Sequence, residues 1–314
     1  MLIAPALGAA AATPFPVADQ NPLTRGFYHP LPSPARWDSS DSGSQVLVTV
    51  ANTTNMNRRG GERLLLDTES TELRWVWCED IDRNWRVRAS LPVVHYGGGV
   101  LDPLINGWHD LLGLDGGSRP RRRSDQLAIE YSGPGESIRV DQSQTAVGDM
   151  SIEIGRRLVT QRRFALSAWS GIELPTGDAE RLTGDNGVDA GLWFSGDWQP
   201  LARLSFVAMS GGTRQGSGDL FDDRRADWVG FQSLAARWDS SDRLYLQAQL
   251  DVHDSYLKST RIPILGPATI LTIGGGYRTV SGWRMGLSIS EDLKVNTSPD
   301  VALQFTVRPP FALK

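Results

Sequence analysis

The sequence predicts an all-β fold: a transmembrane, antiparallel, up-and-down β-barrel of about twelve strands, with one short helix in a long loop. Three observations predict it. Apolar and polar residues alternate with period two through most of the chain, connections alternate between short and long, and tryptophans gather beside the short ones.

The alternation is plainest in residues 243–253, where Leu244, Leu246, Ala248, Leu250 and Val252 share one face and Arg243, Tyr245, Gln247, Gln249, Asp251 and His253 the other. Residues 162–174 repeat it, with Phe164, Leu166, Ala168, Ile172 and Leu174 opposed to Arg163, Ser167, Trp169 and Glu173. On this basis strands are predicted at 44–52, 62–77, 84–95, 145–158, 162–175, 188–198, 201–211, 227–238, 242–254, 267–278, 282–290 and 299–309. Short connections fall at 78–82, 160–162, 199–200, 240–242 and 280–281. Long ones fall at 53–61, 96–144, 176–187, 212–226, 255–266 and 291–298. An even number of strands, short turns at one end and long loops at the other form the pattern of a barrel in the outer membrane of a Gram-negative bacterium. A soluble sandwich would bury its apolar face and has no reason to collect tryptophans at one rim.

Composition agrees. The chain has 314 residues, 40% of them apolar, 33 glycines, 11 tryptophans and a net charge of −4, which gives no sign of a nucleic-acid partner. Cys78 is the only cysteine, so neither an intrachain disulfide nor a cysteine metal cluster can form. The uncharged N-terminal stretch contains Pro5, Pro14 and Pro16 and reads as a signal peptide over 1–12, or 1–18 in a longer version, with Ala10 to Ala12 as cleavage site. Its basic leading region is missing; a disordered alanine-rich tail is the alternative. Residues 13–43 are then expected to be an N-terminal periplasmic segment and 44–311 the barrel.

The pentapeptide WDSSD occurs at 37–41 and again at 238–242. Trp75, Trp77, Trp85, Trp198, Trp238 and Trp283 lie beside short turns and Trp37 just before the first strand, so all seven are expected in a membrane-interface girdle. Each WDSSD then reads as an interfacial anchor plus a polar turn on the periplasmic side.

Within the long connection 96–144, Leu101, Leu104, Ile105, Trp108, Leu111 and Leu112 repeat at helical spacing and predict a helix over 100–112, placed in the lumen, on the rim or against a partner. The basic run 118–125 is either a lipopolysaccharide contact or a solvated charge run.

If the apolar face meets lipid, the polar face lines a lumen. Arg86, Arg88, Arg157, Arg163, Arg203, Arg243, Arg284 and Arg308 lie near short turns. Asp149, Glu173, Asp189 and Asp251 lie near long loops, Glu153 between, with Asp197 an exception. This sorting sets up either an axial field acting on a solute, or arginines bonded to carbonyls and interfacial phosphates with acids serving loop packing. Both readings stand at this point.

Signals for chemistry are thin. His253 and Ser255 share a strand face and are weak catalytic candidates, but the face is the polar one. Asp178 and Asp185, with Glu180 and Asn186, offer oxygen ligands for calcium in a spacing unlike an EF-hand. No cofactor site is expected.

The segments NPLTRGF (21–27), HYGGGVLDPLINGWHDLLGLDGGSR (95–119), ELPTGDAERLTG (173–184), QLDVHDS (249–255) and SEDLKVNTSPDV (290–301) resemble a proteobacterial outer-membrane family catalogued only as a domain of unknown function. The resemblance covers nearly all of the mature chain and implies the barrel and no particular activity. LPTGD is also similar to outer-membrane proteins encoded with aromatic-degradation pathways, which implies uptake of hydrophobic molecules. The C-terminus departs from the usual pattern, since QFTVRPPF runs on into Ala312, Leu313 and Lys314; this bears on recognition by the barrel-assembly machinery. The expected function is a channel or binding barrel for a small solute, a hydrophobic one on the LPTGD resemblance, with outer-membrane lipids and lipopolysaccharide as surroundings. A lipid-modifying hydrolase and a structural or surface-interaction barrel are the alternatives.

Overall fold

The computed structural model describes residues 12–37, 41–99, 127–293 and 301–310. Their strands are β1 (Gly43–Arg59), β2 (Glu62–Asp80), β3 (Trp85–Gly97), β4 (Ala128–Gly133), β5 (Glu136–Val140), β6 (Gln144–Val147), β7 (Met150–Thr160), β8 (Phe164–Leu174), β9 (Asp189–Leu201), β10 (Leu204–Arg214), β11 (Trp228–Asp239), β12 (Leu244–His253), β13 (Ala268–Arg278), β14 (Arg284–Asp292) and β15 (Val301–Arg308). The sheet closes where β15 pairs antiparallel with β1, from Val46↔Val307 to Asn52↔Val301. The strands β4 and β5 stand outside the circle and β6 continues β7, so the wall is a closed twelve-stranded antiparallel barrel. Pairing of β3 shifts by one residue between Val93↔Val147 and Ser90↔Ser151, a bulge at Gly148 and Asp149 that aims Asp149 into the loop above.

The outward face carries the apolar half of the alternation. Leu73, Ile154, Phe194, Leu234, Ile273 and Leu287 all stand exposed around the wall. A soluble protein does not leave so many large apolar side chains in water, and a bilayer removes that cost. The barrel therefore belongs in the bacterial outer membrane, short turns to the periplasm and long connections outward.

Two parts of the outer end differ from expectation. The predicted loop 53–61 is strand: β1 and β2 run on together past their other neighbours and meet at Gly60 and Gly61, with φ of 61° and 87°. Two successive positive φ values are what a tight hairpin turn requires, and glycine supplies them without strain. The stretch Asn52 to Asn57 has polar residues on both faces, so alternation could not reveal it. Within 96–144 the structure places the hairpin β4–β5 against β2, with Ile129 opposite Leu66 and Tyr131 opposite Leu64. The helix expected at 100–112 and the basic run 118–125 lie outside the described residues.

The largest correction concerns the N-terminal segment. Residues 12–37 do not lie free in the periplasm; they thread the lumen. Ala12 packs low on Val207 and Ala235, and Phe15 and Val17 pack on Ile270. The chain turns at 21–27, where Leu23 and Phe27 join the outer core, and descends through Leu31 to Trp37. All five buried apolar clusters of the described residues contain a member of this segment. Pro14, Pro16, Pro22, Pro30, Pro32 and Pro34 remove N–H donors, so it cannot join the sheet as another strand and crosses as an extended, hairpin-like plug.

Candidate functional site: a plugged lumen and its arginine vestibule

The polar inner wall has a specific task. An extended segment without sheet partners exposes carbonyls that need donors, and the wall side chains provide them. Arg88 Nη2 donates to the Leu31 carbonyl at 2.6 Å and to Ser33 Oγ at 2.8 Å. Ser167 and Trp169 donate to the Pro34 carbonyl, and Gln304 donates to that of Pro16 at 3.0 Å. Gln249 bonds Phe15 twice, accepting from its N–H at 2.7 Å and donating to its carbonyl at 3.0 Å. Arg157 donates to the Trp37 carbonyl and lies over the indole, 4.5 Å from the ring centroid.

The turn at the top uses the NPLTRGF segment. Asn21 Nδ2 donates to the Ile264 carbonyl at 2.6 Å, while its Oδ1 accepts from Leu23 N–H at 3.0 Å. Gly26 lies against Gly184 of the outer loop so closely that a Cβ would stand 2.7 Å from the Gly184 carbonyl carbon. Asp189 accepts from the N–H groups of Tyr28 (3.1 Å) and Gly216 (2.8 Å), and Asp149 from those of Gly177 (2.7 Å) and Asp185 (3.2 Å). These acids tie outer loops and plug together. Asp251 accepts from Gln249 at 3.0 Å and Glu153 pairs with Arg88, while Glu173 lies among the outer acids. The expected sorting of charge by height is incomplete, because Arg25, Arg74 and Arg225 sit among the acids: Arg74 pairs with Glu72 at 2.7 Å and Arg225 with Asp185 at 2.6 Å.

Beyond the wall proper, one carboxylate knits the outer cap. Glu62, at the far end of β2, accepts from Arg224 (2.7 Å), the Tyr131 hydroxyl (2.8 Å) and the Arg261 N–H (2.7 Å). Burial pushes the Glu62 carboxyl up, and these three hydrogen bonds together with the Arg224 charge more than reverse it, leaving it below its ordinary value. Tyr131 is pushed up to about 12, by burial and by its bond to Glu62. In the loop below, burial raises Asp185 to about 7 although Arg225 opposes it.

At the periplasmic end the plug leaves a cavity of about 290 Å³ between Thr13–Pro16, Leu31–Pro34 and the strands β1–β3 and β11–β15. Seven arginines line it (Arg86, Arg88, Arg237, Arg243, Arg278, Arg284 and Arg308) against Asp41, Asp239 and Asp242. Arg86 pairs with Asp80 at 2.6 Å, and Arg237 pairs with Asp239 at 2.7 Å and covers the Tyr245 ring. Asp41 bridges Arg284 at 2.5 Å and Arg308 at 3.7 Å. Arg237, Arg278 and Asp41 escaped the sequence reading; the signal for the two arginines was their position at strand ends on the polar parity, whereas Asp41 precedes β1 and left none.

Several expected positions are corrected. Arg163 and Arg203 are exposed at the turns and do not line the lumen, and Arg203 donates to the Ser240 carbonyl at 3.0 Å. Trp37 is not interfacial: it is 2% exposed and meets Trp169 edge to face, 5.5 Å between centroids. Of the other tryptophans, Trp75, Trp198, Trp238 and Trp283 stand exposed near the short turns, and Trp77 and Trp85 are half-buried. Trp228 is exposed at the opposite end of the wall, opposite Arg214.

The catalytic candidates do not meet. His253 Nε2 faces Asp19 of the plug at 3.4 Å, its Nδ1 bonds the Asp254 carbonyl, and Ser255 Oγ donates to the carbonyls of Leu257 (2.8 Å) and Leu265 (3.0 Å). A serine bonded to two carbonyls, with no bond to the histidine, is a loop tie and not an activated nucleophile. Asp178 accepts from the N–H of Glu180 at 2.9 Å and pairs with Arg181, whereas Asp185 holds Gly187 and Arg225, so the two acids do not converge on one point.

The fold resembles that of an outer membrane channel from Pseudomonas putida F1, at 12% identity over 87% of this chain and 98% of that one, with a TM-score of 0.54. A NanC porin (10% identity, 84% and 98% covered, TM-score 0.49) and a CymD monoaromatic hydrocarbon channel (13%, 96% and 95%, 0.43) match more loosely. None of the curated proteins matches. The family model described as "Protein of unknown function (DUF3187)" matches residues 3–311, and the chain belongs to that family.

Proposed function

We propose that the protein is a gated channel that passes a small solute across the outer membrane, with residues 13–37 as the gate. The observation that carries this reading is the way the segment is held. A segment bound through strand pairing would be part of the wall, whereas this one is bound by wall side chains donating to its carbonyls and by side-chain packing of Phe15, Leu23, Phe27, Leu31 and Trp37. Each such bond contributes only about 1 kcal/mol net and can be exchanged for water, and the sheet closes through β1 and β15 without the segment, so a stimulus that offsets its packing releases it while the barrel stays closed. Twelve strands enclose an interior wider than that of the filled eight-stranded barrels, so its removal opens a path for a small solute.

Insertion by the barrel-assembly machinery and contact of the outer rim with lipopolysaccharide belong to the same proposal. Cleavage of a signal peptide after Ala12 is supported by the path of the plug, because it would release Thr13 at the periplasmic mouth.

The test is single-channel conductance in planar bilayers of the full chain and of a variant lacking residues 14–36, each shown to be folded by heat-modifiable migration. The full chain should be closed and the deletion should conduct. Silence from a folded deletion variant would remove the channel reading.

A further inference from the structure

Four arginines stand in one row across the periplasmic mouth. In the antiparallel registers Arg278 is opposite Arg284, and Arg284 is opposite Arg308. The Arg278 N–H donates to the Arg243 carbonyl at 2.8 Å, which extends the row to the end of β12. All four lie on the lumenal parity of their strands and line the same cavity. Like charges directly opposite each other on neighbouring strands repel and need neutralising.

The protein neutralises one half of the row itself. Asp41 places its carboxylate between Arg284 and Arg308. The other half has no such group: the side chains of Arg243 and Arg278 make no hydrogen bond or ion pair among the described residues, and Asp239 is held by Arg237. Asp242 lines the same mouth without approaching either guanidinium to ion-pair distance.

We infer that Arg243 and Arg278 form the head-group site for a small organic anion, whose carboxylate or phosphate bridges them as Asp41 bridges the neighbouring pair. Guanidinium forks match the two oxygens of such a group. The cavity beyond is apolar on one side, with Phe15, Val76, Tyr245 and Met285 in its lining, so the ligand carries a small apolar body behind its charge. At about 290 Å³ the space holds a molecule smaller than a drug-sized ligand. This names a solute class for the lumen and rests on the reading of the lumen as a solute path.

The test is isothermal titration of the full chain in a neutral detergent with benzoate, with its neutral counterpart benzamide, and with inorganic phosphate. Benzoate should bind, and benzamide should bind at least about tenfold more weakly, as expected for loss of a charge-assisted pair. The double variant R243Q/R278Q should lose about tenfold in benzoate affinity, while R203Q, at an exposed turn outside the cavity, should lose none. Equal binding of benzoate and benzamide, no benzoate binding at all, or an unchanged double variant would overturn the site. Phosphate binding as tight as benzoate would overturn the apolar half of the inference. A fourth arm adds phosphatidylglycerol to the micelles: if it abolishes benzoate binding, the pair reads lipid head groups, and the inference fails. Benzoate binding together with a silent plug deletion would keep the site and sink the channel; conductance without benzoate binding would do the reverse.

Discussion

The two copies of WDSSD have the same five residues and opposite fates. In the second copy Trp238 is the penultimate residue of β11 and is 52% exposed on the outer surface, while Ser241 caps the following turn by accepting from Leu244 N–H at 3.0 Å. In the first copy Trp37 is buried inside the barrel against Trp169, and Asp41 bridges two arginines on β14 and β15. The second copy is set by its own hairpin. The first is set by residues remote in sequence, Arg86, Arg157 and Trp169 around Trp37 and Arg284 and Arg308 around Asp41, because the chain around it is proline-rich plug and has no strand to fix a parity. Identical local sequence therefore gives an exposed outer-surface indole at one site and a buried lumenal contact at the other.

Substitution can break this contrast, and the largest effect belongs to the buried indole. Trp37→Ala should weaken docking of the plug by about 3–5 kcal/mol, seen as protease cleavage within 13–36 and as channel openings in bilayers. Trp238→Ala should change stability by under about 1 kcal/mol and leave the plug protected. Equal effects at the two sites would mean that Trp37 is not a docking residue.

The aspartates offer a second comparison. Asp41→Asn leaves Arg284 and Arg308 side by side without their carboxylate, and should cost about 2 kcal/mol, discounted because Arg284 is about a third exposed. Asp242→Asn, in the equivalent place of the second copy, should shift the urea midpoint little. Next comes the turn at the top of the plug. Gly26→Ala would push it off the loop at Gly184 and cost about 1–3 kcal/mol, measured as faster hydrogen exchange of residues 21–28.

The smallest effect depends on pH, at the outer cap, which like the first copy is held by partners remote in sequence. Glu62 titrates below its ordinary value, so its contribution is complete above about pH 4.5 and is lost as pH falls through its lowered value. Hydrogen exchange at 255–266 should accelerate in that acidic window and stay flat above it. Glu62→Gln should be loosened at neutral pH already and show no further change on acidification.

Legibility followed the same division. All twelve wall strands, their lumenal parity and the long third connection could be read from alternation, because the pleat imposes period two on any strand with lipid on one side. The extension of β1 and β2 beyond their other neighbours could not, since Asn52 and Thr54 on one face and Thr53, Asn55 and Asn57 on the other are all polar and carry no contrast. The plug left one trace, the alternate prolines at 30, 32 and 34, which mark an extended non-sheet segment but say nothing of where it goes. Arg86, Arg88 and Arg157 were legible as lumenal arginines; their service to the plug carbonyls or cavity was not.

By itself the sequence determined the barrel: strand number, pairing order and which face meets lipid, all of them consequences of short-range periodicity and turn chemistry. Tertiary structure alone decided what the inner face meets. A polar lumenal side chain is equally suited to water, solute or another stretch of chain, and the choice rests on contacts such as Gln304 to Pro16, 288 residues apart.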